Sequence, residues 1–159
     1  MKLTIIFVFS VSALLLEQKC SAFRAVKRDE WVDSINTPEL IALAEQSMTG
    51  FEGAVAKGNV DMILKFHSSD FIYIKPRRDV AHGSEETRAV YEDWYKDGVD
   101  RFDVNLIDVG TMGPDYKFQL VSGTAYDETD TVVESGKYLI LFRKEAGGFK
   151  AFLKAEILD

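Results

Sequence analysis

The spacing of apolar residues changes along the chain, from a helical period in the first half to strict alternation in the second. The apolar positions of the first segment are Leu40, Ile41, Ala44, Met48, Phe51 and Val55. They recur every three or four residues, which predicts a helix with one apolar face. Thr37 is placed to act as its N-cap, and Pro38 and Glu39 suit its first turn.

Two further helices are predicted before the period changes. Gly58 is expected to end the first helix, and Asn59 to cap a short second one. Ser84 is the expected N-cap of a third helix that closes at Gly98. The apolar residues of this third helix share one face: Val90, Tyr91, Trp94 and Tyr95.

The remaining segments are predicted to be strands. Phe71–Ile74 is apolar on both faces and stops at Pro76, as in a strand covered on both sides. Four long alternating segments follow, separated by the turn sequences MGPD, DETD and EAGG: Arg101–Val109, Tyr116–Tyr126, Val132–Arg143 and Phe149–Leu158. Three helices followed by an antiparallel meander predict an α+β fold, with the helices packed on one face of a strongly bent sheet.

The N-terminal residues have the features of a secretory signal peptide. Lys2 precedes an apolar run, and the small residues Cys20, Ser21 and Ala22 suit a cleavage site. We therefore expect residues 1–22 to be a signal peptide, 23–36 an exposed arm and 37–159 one domain. The alternative for the first segment is a buried or membrane-anchoring helix. The first interpretation predicts a secreted protein without a membrane attachment after cleavage.

Composition narrows the classes of partner. The chain carries 26 acidic and 19 basic residues, a formal net charge of −7, which argues against nucleic acid or an anionic membrane as a general partner. The one cysteine, Cys20, lies in the predicted signal peptide, so no disulfide is expected. Zinc-binding spacings, calcium loops and nucleotide-binding fingerprints are lacking from the sequence, and we expect no metal and no cofactor.

Three segments together resemble a known family. They are FEGAVAKGNVDMILKFHSSDFIYIKP, HGSEETRAVYEDWY and GKYLILFRKEAGGFKAFLKAEI. Their order and spacing resemble the SnoaL-like domains of the nuclear transport factor 2-like superfamily, over residues 40–158. The resemblance implies a cone formed by the bent sheet and the helices, as in cystatin-like folds. It also implies a pocket inside the cone and a homodimer through the outer face of the sheet, where Ile72 and Ile74 are expected to lie.

The ketosteroid isomerase branch of that superfamily has catalytic positions that can be compared one at a time. Its base, a carboxylate before the proline of the first strand, corresponds to Lys75 here. Its oxyanion tyrosine corresponds to Phe51, which has no hydroxyl, and its protonated acid falls in GKYLILFR, which has no carboxylate. The resemblance therefore does not carry over this isomerase chemistry.

Two sets of candidate residues remain. His67, Asp70 and Tyr73 are candidate catalytic residues, because dehydratase and cyclase members use His and Asp in the pocket. Alternatively, Asp70 orders the turn. The candidate ligand-binding residues are Phe51, Tyr73, Lys75, Tyr91, Trp94 and Lys154. Aromatic walls with a basic group suit a small, partly apolar ligand carrying a polar or anionic group.

Three functions are compatible with these residues. The first is a secreted, non-catalytic domain that binds a small ligand in the cone. The second is an enzyme of the dehydratase, isomerase or cyclase type that uses His67, Asp70 and Tyr73. In the third, the aromatic residues fill the cone and the protein is a dimeric interaction module. The basic residues Lys75, Arg77 and Arg78 either ring the pocket or form a solvated turn.

Overall fold

The computed structural model describes residues 34–76 and 78–157. Its helices are α1 (Pro38–Val55), α2 (Val60–Leu64) and α3 (Gly83–Lys96). Its strands are β1 (Ser34–Ile35), β2 (His67–Ile74), β3 (Ala81–His82), β4 (Arg101–Thr111), β5 (Tyr116–Tyr126), β6 (Val132–Glu145) and β7 (Gly148–Ile157). The predicted signal peptide, the arm up to residue 33 and Arg77 lie outside the described residues.

The predicted N-caps of α1 and α2 are confirmed, whereas that of α3 is wrong. The Leu40 N–H donates to Thr37 Oγ1 at 3.3 Å, and the Met62 N–H donates to Asn59 Oδ1 at 3.0 Å. Helix α3 begins one residue before Ser84, because Gly83 adopts a left-handed φ of 71° that turns the chain into the helix. His82 occupies the cap position, and its N–H donates to the Glu86 carboxylate at 2.7 Å.

The sheet contains the predicted meander and an unpredicted parallel pairing. Strands β4 to β7 pair antiparallel in sequence order, within a sheet ordered β1-β4-β5-β6-β7-β2-β3. Strand β2 lies parallel to β7, which sets Tyr73 beside Lys154. Strands β1 and β3 were not predicted, because two residues are too few to show a period. Strand β1 comes from the end of the predicted arm and pairs with β4.

The helices and the inner face of the bent sheet enclose the core of the cone. Register shifts interrupt the β4–β5, β5–β6, β6–β7 and β2–β7 pairings, and such irregularities bend a sheet. Alternation along β2 sends Phe71 and Tyr73 inward, where they are fully buried, and leaves Ile74 39% exposed on the outer face. The inner face of β2 is therefore covered as predicted, while its outer face has no cover among the described residues.

Among the described residues, no helix combines the length and apolar character needed to cross a membrane.

Candidate functional site

A cavity lies inside the cone, between α1, α3 and the inner face of the sheet; we call it the inner cavity. It offers about 60 Å³ for the centres of water-sized groups. Its apolar and aromatic lining comprises Met48, Phe51, Phe66, Phe102, Val104, Val121, Ile140, Phe142 and Ala151. Its polar lining comprises Ser47, His67, Tyr91, Gln119, Tyr138 and Lys154. A concave, mostly apolar space with a few polar groups is typical of a small-molecule site.

Lys154 is the most unusual residue of this lining. Strand β7 holds it between Tyr73 of β2 and Ile140 of β6, and it is only 4% exposed. Its Nζ lies over four aromatic rings, at 4.3 Å from the ring centre of Tyr138, 4.7 Å from Tyr73, 5.3 Å from Trp94 and 5.8 Å from Phe102. No described residue hydrogen-bonds to this amine or pairs with it as an ion. The ring faces are its principal stabilising contacts.

The surroundings of Lys154 disfavour its charged form. Burial lowers the pKa of Lys154 to about 8, and the positive charge of Lys75 acts in the same direction. Glu134 and Glu156 act against this shift. An amine with such a pKa exists as both ammonium and free amine near neutral pH. It can therefore bind an anion in one form and act as a nucleophile in the other.

His67 and Tyr91 form a second polar pair in the cavity wall. His67 Nδ1 donates to the Ile63 carbonyl at 3.0 Å, which leaves Nε2 as an acceptor for the Tyr91 hydroxyl at 3.3 Å. Burial, with a further contribution from the Lys154 charge, lowers the pKa of His67 to about 3. The imidazole is therefore neutral at physiological pH, and both of its nitrogens are engaged.

A network of polar groups lies next to the Lys154 cage. Lys75 Nζ donates to Glu134 at 2.5 Å, and the Tyr138 hydroxyl donates to the same carboxylate at 3.3 Å. Three buried atoms in this region have no hydrogen-bond partner among the described residues: Tyr73 OH, Trp94 Nε1 and Glu156 Oε2. Glu134 is bound to Lys75 and does not form an ion pair with Lys154.

The structure separates Asp70 from His67. Asp70 is exposed, and its carboxylate accepts from Arg143 Nη2 at 2.9 Å. This bond is the main reason that the pKa of Asp70 is lowered to about 2. His67 borders the inner cavity, whereas Asp70 is not among the residues that line it. The two side chains therefore do not line the same cavity.

A second concavity adjoins the inner cavity; we call it the outer groove. It offers about 190 Å³ for the centres of water-sized groups. Its lining comprises Leu40, Leu43, Ala44, Ser47, Val109, Lys117, Gln119, Phe142 and Phe149. Ser47, Gln119 and Phe142 line both spaces, so these three side chains form the partition between them. Leu43 is 52% exposed, so the outer groove is open to solvent.

The other residues singled out from the sequence lie in three different environments. Phe51 and Tyr91 line the inner cavity, and Tyr73 and Trp94 lie behind Lys154 as part of its aromatic cage. Lys75 is bound to Glu134, and Arg78 is exposed.

Sequence reasoning missed four polar residues of the site, Ser47, Gln119, Tyr138 and Glu134. Alternation along β6 places Tyr138 on the same face as Ile140, so the period of two in this segment could have identified Tyr138. Glu134 and Gln119 carried no comparable signal, because their positions depend on how the strands pair.

Within residues 34–76 and 78–157, no group of three or more His, Cys, Asp or Glu side chains is placed to hold a metal ion.

No protein-family model and no curated protein matches the sequence. Solved structures do match the fold. A cystatin-like protein of unknown function from Nostoc punctiforme PCC 73102 aligns with a TM-score of 0.64 at 20% identity, over 77% of this chain and 93% of that one. An NTF2-like protein of unknown function from Shewanella oneidensis MR-1 aligns with a TM-score of 0.62 at 16% identity, over 71% and 94%.

A ketosteroid isomerase-like protein from Erwinia carotovora atroseptica SCRI1043 aligns with a TM-score of 0.57 at 20% identity, over 77% of this chain and 100% of that one. At these identities the likeness concerns architecture, and the positions of Phe51 and Lys75 still lack the groups that isomerase chemistry requires. The helices and the bent sheet give this chain the nuclear transport factor 2-like fold, as its sequence motifs predicted.

Proposed function

We propose that the protein binds a small, partly apolar ligand in the inner cavity, with an anionic or hydrogen-bond-accepting group of the ligand against Lys154. The observation that carries the proposal is a buried amine that borders a cavity and has no acidic partner among the described residues. A buried charge without a partner is costly, and a ligand oxygen at Nζ would relieve that cost. The apolar lining would hold the remainder of the ligand.

Several contacts favour binding over the catalytic alternative. His67 is neutral and both of its nitrogens are already hydrogen-bonded, so it lacks a free group for proton transfer. Asp70 is bound to Arg143 outside the cavity. Tyr73, the third candidate, has a pKa raised by burial and therefore keeps its proton.

The presence of the inner cavity also argues against a cone that is completely filled. Phe51 and Tyr91 lie in the wall of the inner cavity. The interaction-module alternative instead requires their rings to fill the centre of the cone. The cavity is small, which limits the ligand to a short or compact molecule.

Benzoate is a suitable probe, because it joins a compact apolar ring to a carboxylate. We expect isothermal titration calorimetry to detect its binding to the wild-type chain. Lys154→Met should weaken binding at least about tenfold, since a charge-assisted hydrogen bond is lost. Lys57→Met, which removes an exposed lysine, is the matched control and should bind as the wild type does. Equal affinity in all three proteins, or no binding to any, would contradict the proposal.

We also propose that the protein forms a homodimer through the outer face of the sheet. Two rows of apolar residues cross the outer face in register. One row is Ile72, Leu153, Leu141 and Phe118; the other is Ile74, Ala155, Leu139 and Leu120. A continuous apolar face of this kind is suited to a second copy of the same surface around a two-fold axis.

Secretion is the remaining part of the proposal, and it is supported by the sequence of residues 1–22. The mass of the chain released by a eukaryotic host, beginning at Phe23, is the measurement that checks it.

A further inference from the structure

We infer that the amine of Lys154 also reacts with small aldehydes that enter the inner cavity and holds them as an imine. The inference rests on the proposed function, since it uses the same cavity and the same lysine, but it adds a covalent activity. The reactive class is a compact aromatic or short aliphatic aldehyde, with its apolar part against the cavity wall.

The first support is the position of the nucleophile. Lys154 Nζ is enclosed by the rings of Tyr73, Trp94, Phe102 and Tyr138, with no carboxylate at ion-pair distance to retain its proton. Glu134, an acid on β6, is bound to Lys75 instead.

Desolvation and a neighbouring cation are the two conditions that activate a lysine as a nucleophile. Desolvation is the dominant one here, since Lys154 is 4% exposed. The charge of Lys75 also opposes protonation of Lys154, whereas the charges of Glu134 and Glu156 favour it. The pKa of Lys154 is lowered to about 8 as a result, so about half of the amine is unprotonated at pH 8.

The reaction balances without an oxidant, a reductant or a cofactor. The Nζ lone pair forms a bond to the carbonyl carbon, the carbonyl oxygen takes up a proton, and Nζ loses one, which gives a carbinolamine. The hydroxyl group then leaves as water with one further proton, while Nζ gives up its second hydrogen and the C=N bond forms. The net change is aldehyde plus amine to imine plus one water.

The surroundings favour the product. An imine is neutral, and it replaces an ammonium whose burial is unfavourable in this cage. The water needed to reverse the reaction must reach a cavity lined mainly by apolar side chains, among them Phe51, Phe66 and Phe102.

The test uses benzaldehyde with sodium cyanoborohydride at pH 8, because this reductant fixes an imine as a stable benzyl-amine. Intact-mass measurement of the full domain should show predominantly one benzyl group per chain, and peptide mapping should place it on Lys154. Lys154→Met should lose this modification, whereas Lys57→Met should retain it. Peptide mapping of the wild-type chain gives the answer even if the Lys154 variant fails to fold.

Benzoate binding separates this inference from the proposed function. If benzoate binds in a Lys154-dependent way while benzaldehyde leaves Lys154 unmodified, the imine inference is overturned and the binding proposal stands. If benzoate does not bind and no benzyl group is found on Lys154, both fail. Benzyl groups spread evenly over the exposed lysines would also overturn the inference, because they would show no special reactivity at Lys154.

Discussion

At the scale of single residues, the site depends on a lysine in an environment that opposes its charge. Lys154 lies among four aromatic rings, and the charged or titratable groups around it are Glu134, Lys75, Glu156 and His67. The folded chain releases the Lys154 proton near pH 8, whereas the unfolded chain keeps it to about 10.5. Folding is therefore penalised below pH 8, and the penalty is relieved as the pH rises from 8 to 10.5.

Lys154→Met is expected to stabilise the protein at pH 7. The full penalty corresponds to about 3 kcal/mol, and loss of the ring contacts removes part of the gain, so we expect a net increase of about 1–3 kcal/mol. Urea denaturation at pH 7 and at pH 10 measures the free energy of unfolding. The advantage of the variant over the wild type should shrink at pH 10, and an advantage that stays constant would mean that the pKa of Lys154 is not lowered.

At the scale of elements, the close approach of β4 and β5 shapes the wall of the cavity. The Phe102 ring of β4 crosses the inner face of β5 at Gly123, and a Cβ at Gly123 would overlap Phe102 Cζ and lie 3.0 Å from Cε2. Phe102 cannot easily withdraw, because its ring packs against Phe51 and Trp94. The absence of a side chain at Gly123 is thus what allows Phe102 to line the cavity.

Gly123→Ala is expected to lower the free energy of unfolding by about 1–3 kcal/mol, the usual effect of overpacking a core. It should also weaken benzoate binding, because the displaced Phe102 ring moves within the cavity wall. Gly147→Ala is the matched control, since its Cβ would meet nothing within 4 Å. Thermal unfolding and calorimetry measure the two effects. Equal stability of the two variants would show that the Phe102 ring adjusts without cost.

At the scale of the whole molecule, the cone has an enclosed inner face and an apolar outer face. The outer row that contains Ile74 and Leu139 has no cover among the described residues, and on the same face Ile74 and Ile157 are 39% and 41% exposed. Burying them against a second copy would release the free energy of removing apolar surface from water.

Leu139→Lys is expected to convert a dimer to a monomer, because it places a charge in the middle of the outer face. Leu43→Lys, at an exposed apolar position on α1 away from that face, is the control and should remain dimeric. Size-exclusion chromatography with light scattering gives the mass of each protein. A wild-type chain that is monomeric at all concentrations would refute the dimer.

Periodicity predicted most of the fold but only part of the site. Strand β5 was predicted at its observed bounds, and β4, β6 and β7 were predicted to within two residues at each end, because long alternating segments determine their own inward and outward faces. Phe51, Tyr91 and Lys154, which were expected to bind a ligand, line the cavity, and their role in binding stays a prediction. The position of Asp70 could not be predicted, since the bond to Arg143 joins strands that are distant in sequence.

The sequence by itself determined the main helices and long strands and their order, because turn residues and apolar periods act over a few neighbouring positions. Its resemblance to a known family indicated the NTF2-like fold. Only the tertiary structure decided the environment of Lys154 and therefore its lowered pKa. Its cage requires the parallel pairing of β2 with β7, which sets Tyr73 beside it, together with Trp94 from α3 and Tyr138 from β6. The same packing pairs Glu134 with Lys75, so the Lys154 amine has no ion-pair partner among the described residues. Burial and the loss of solvent, which change the chemistry of an ordinary lysine, arise only when distant segments come together.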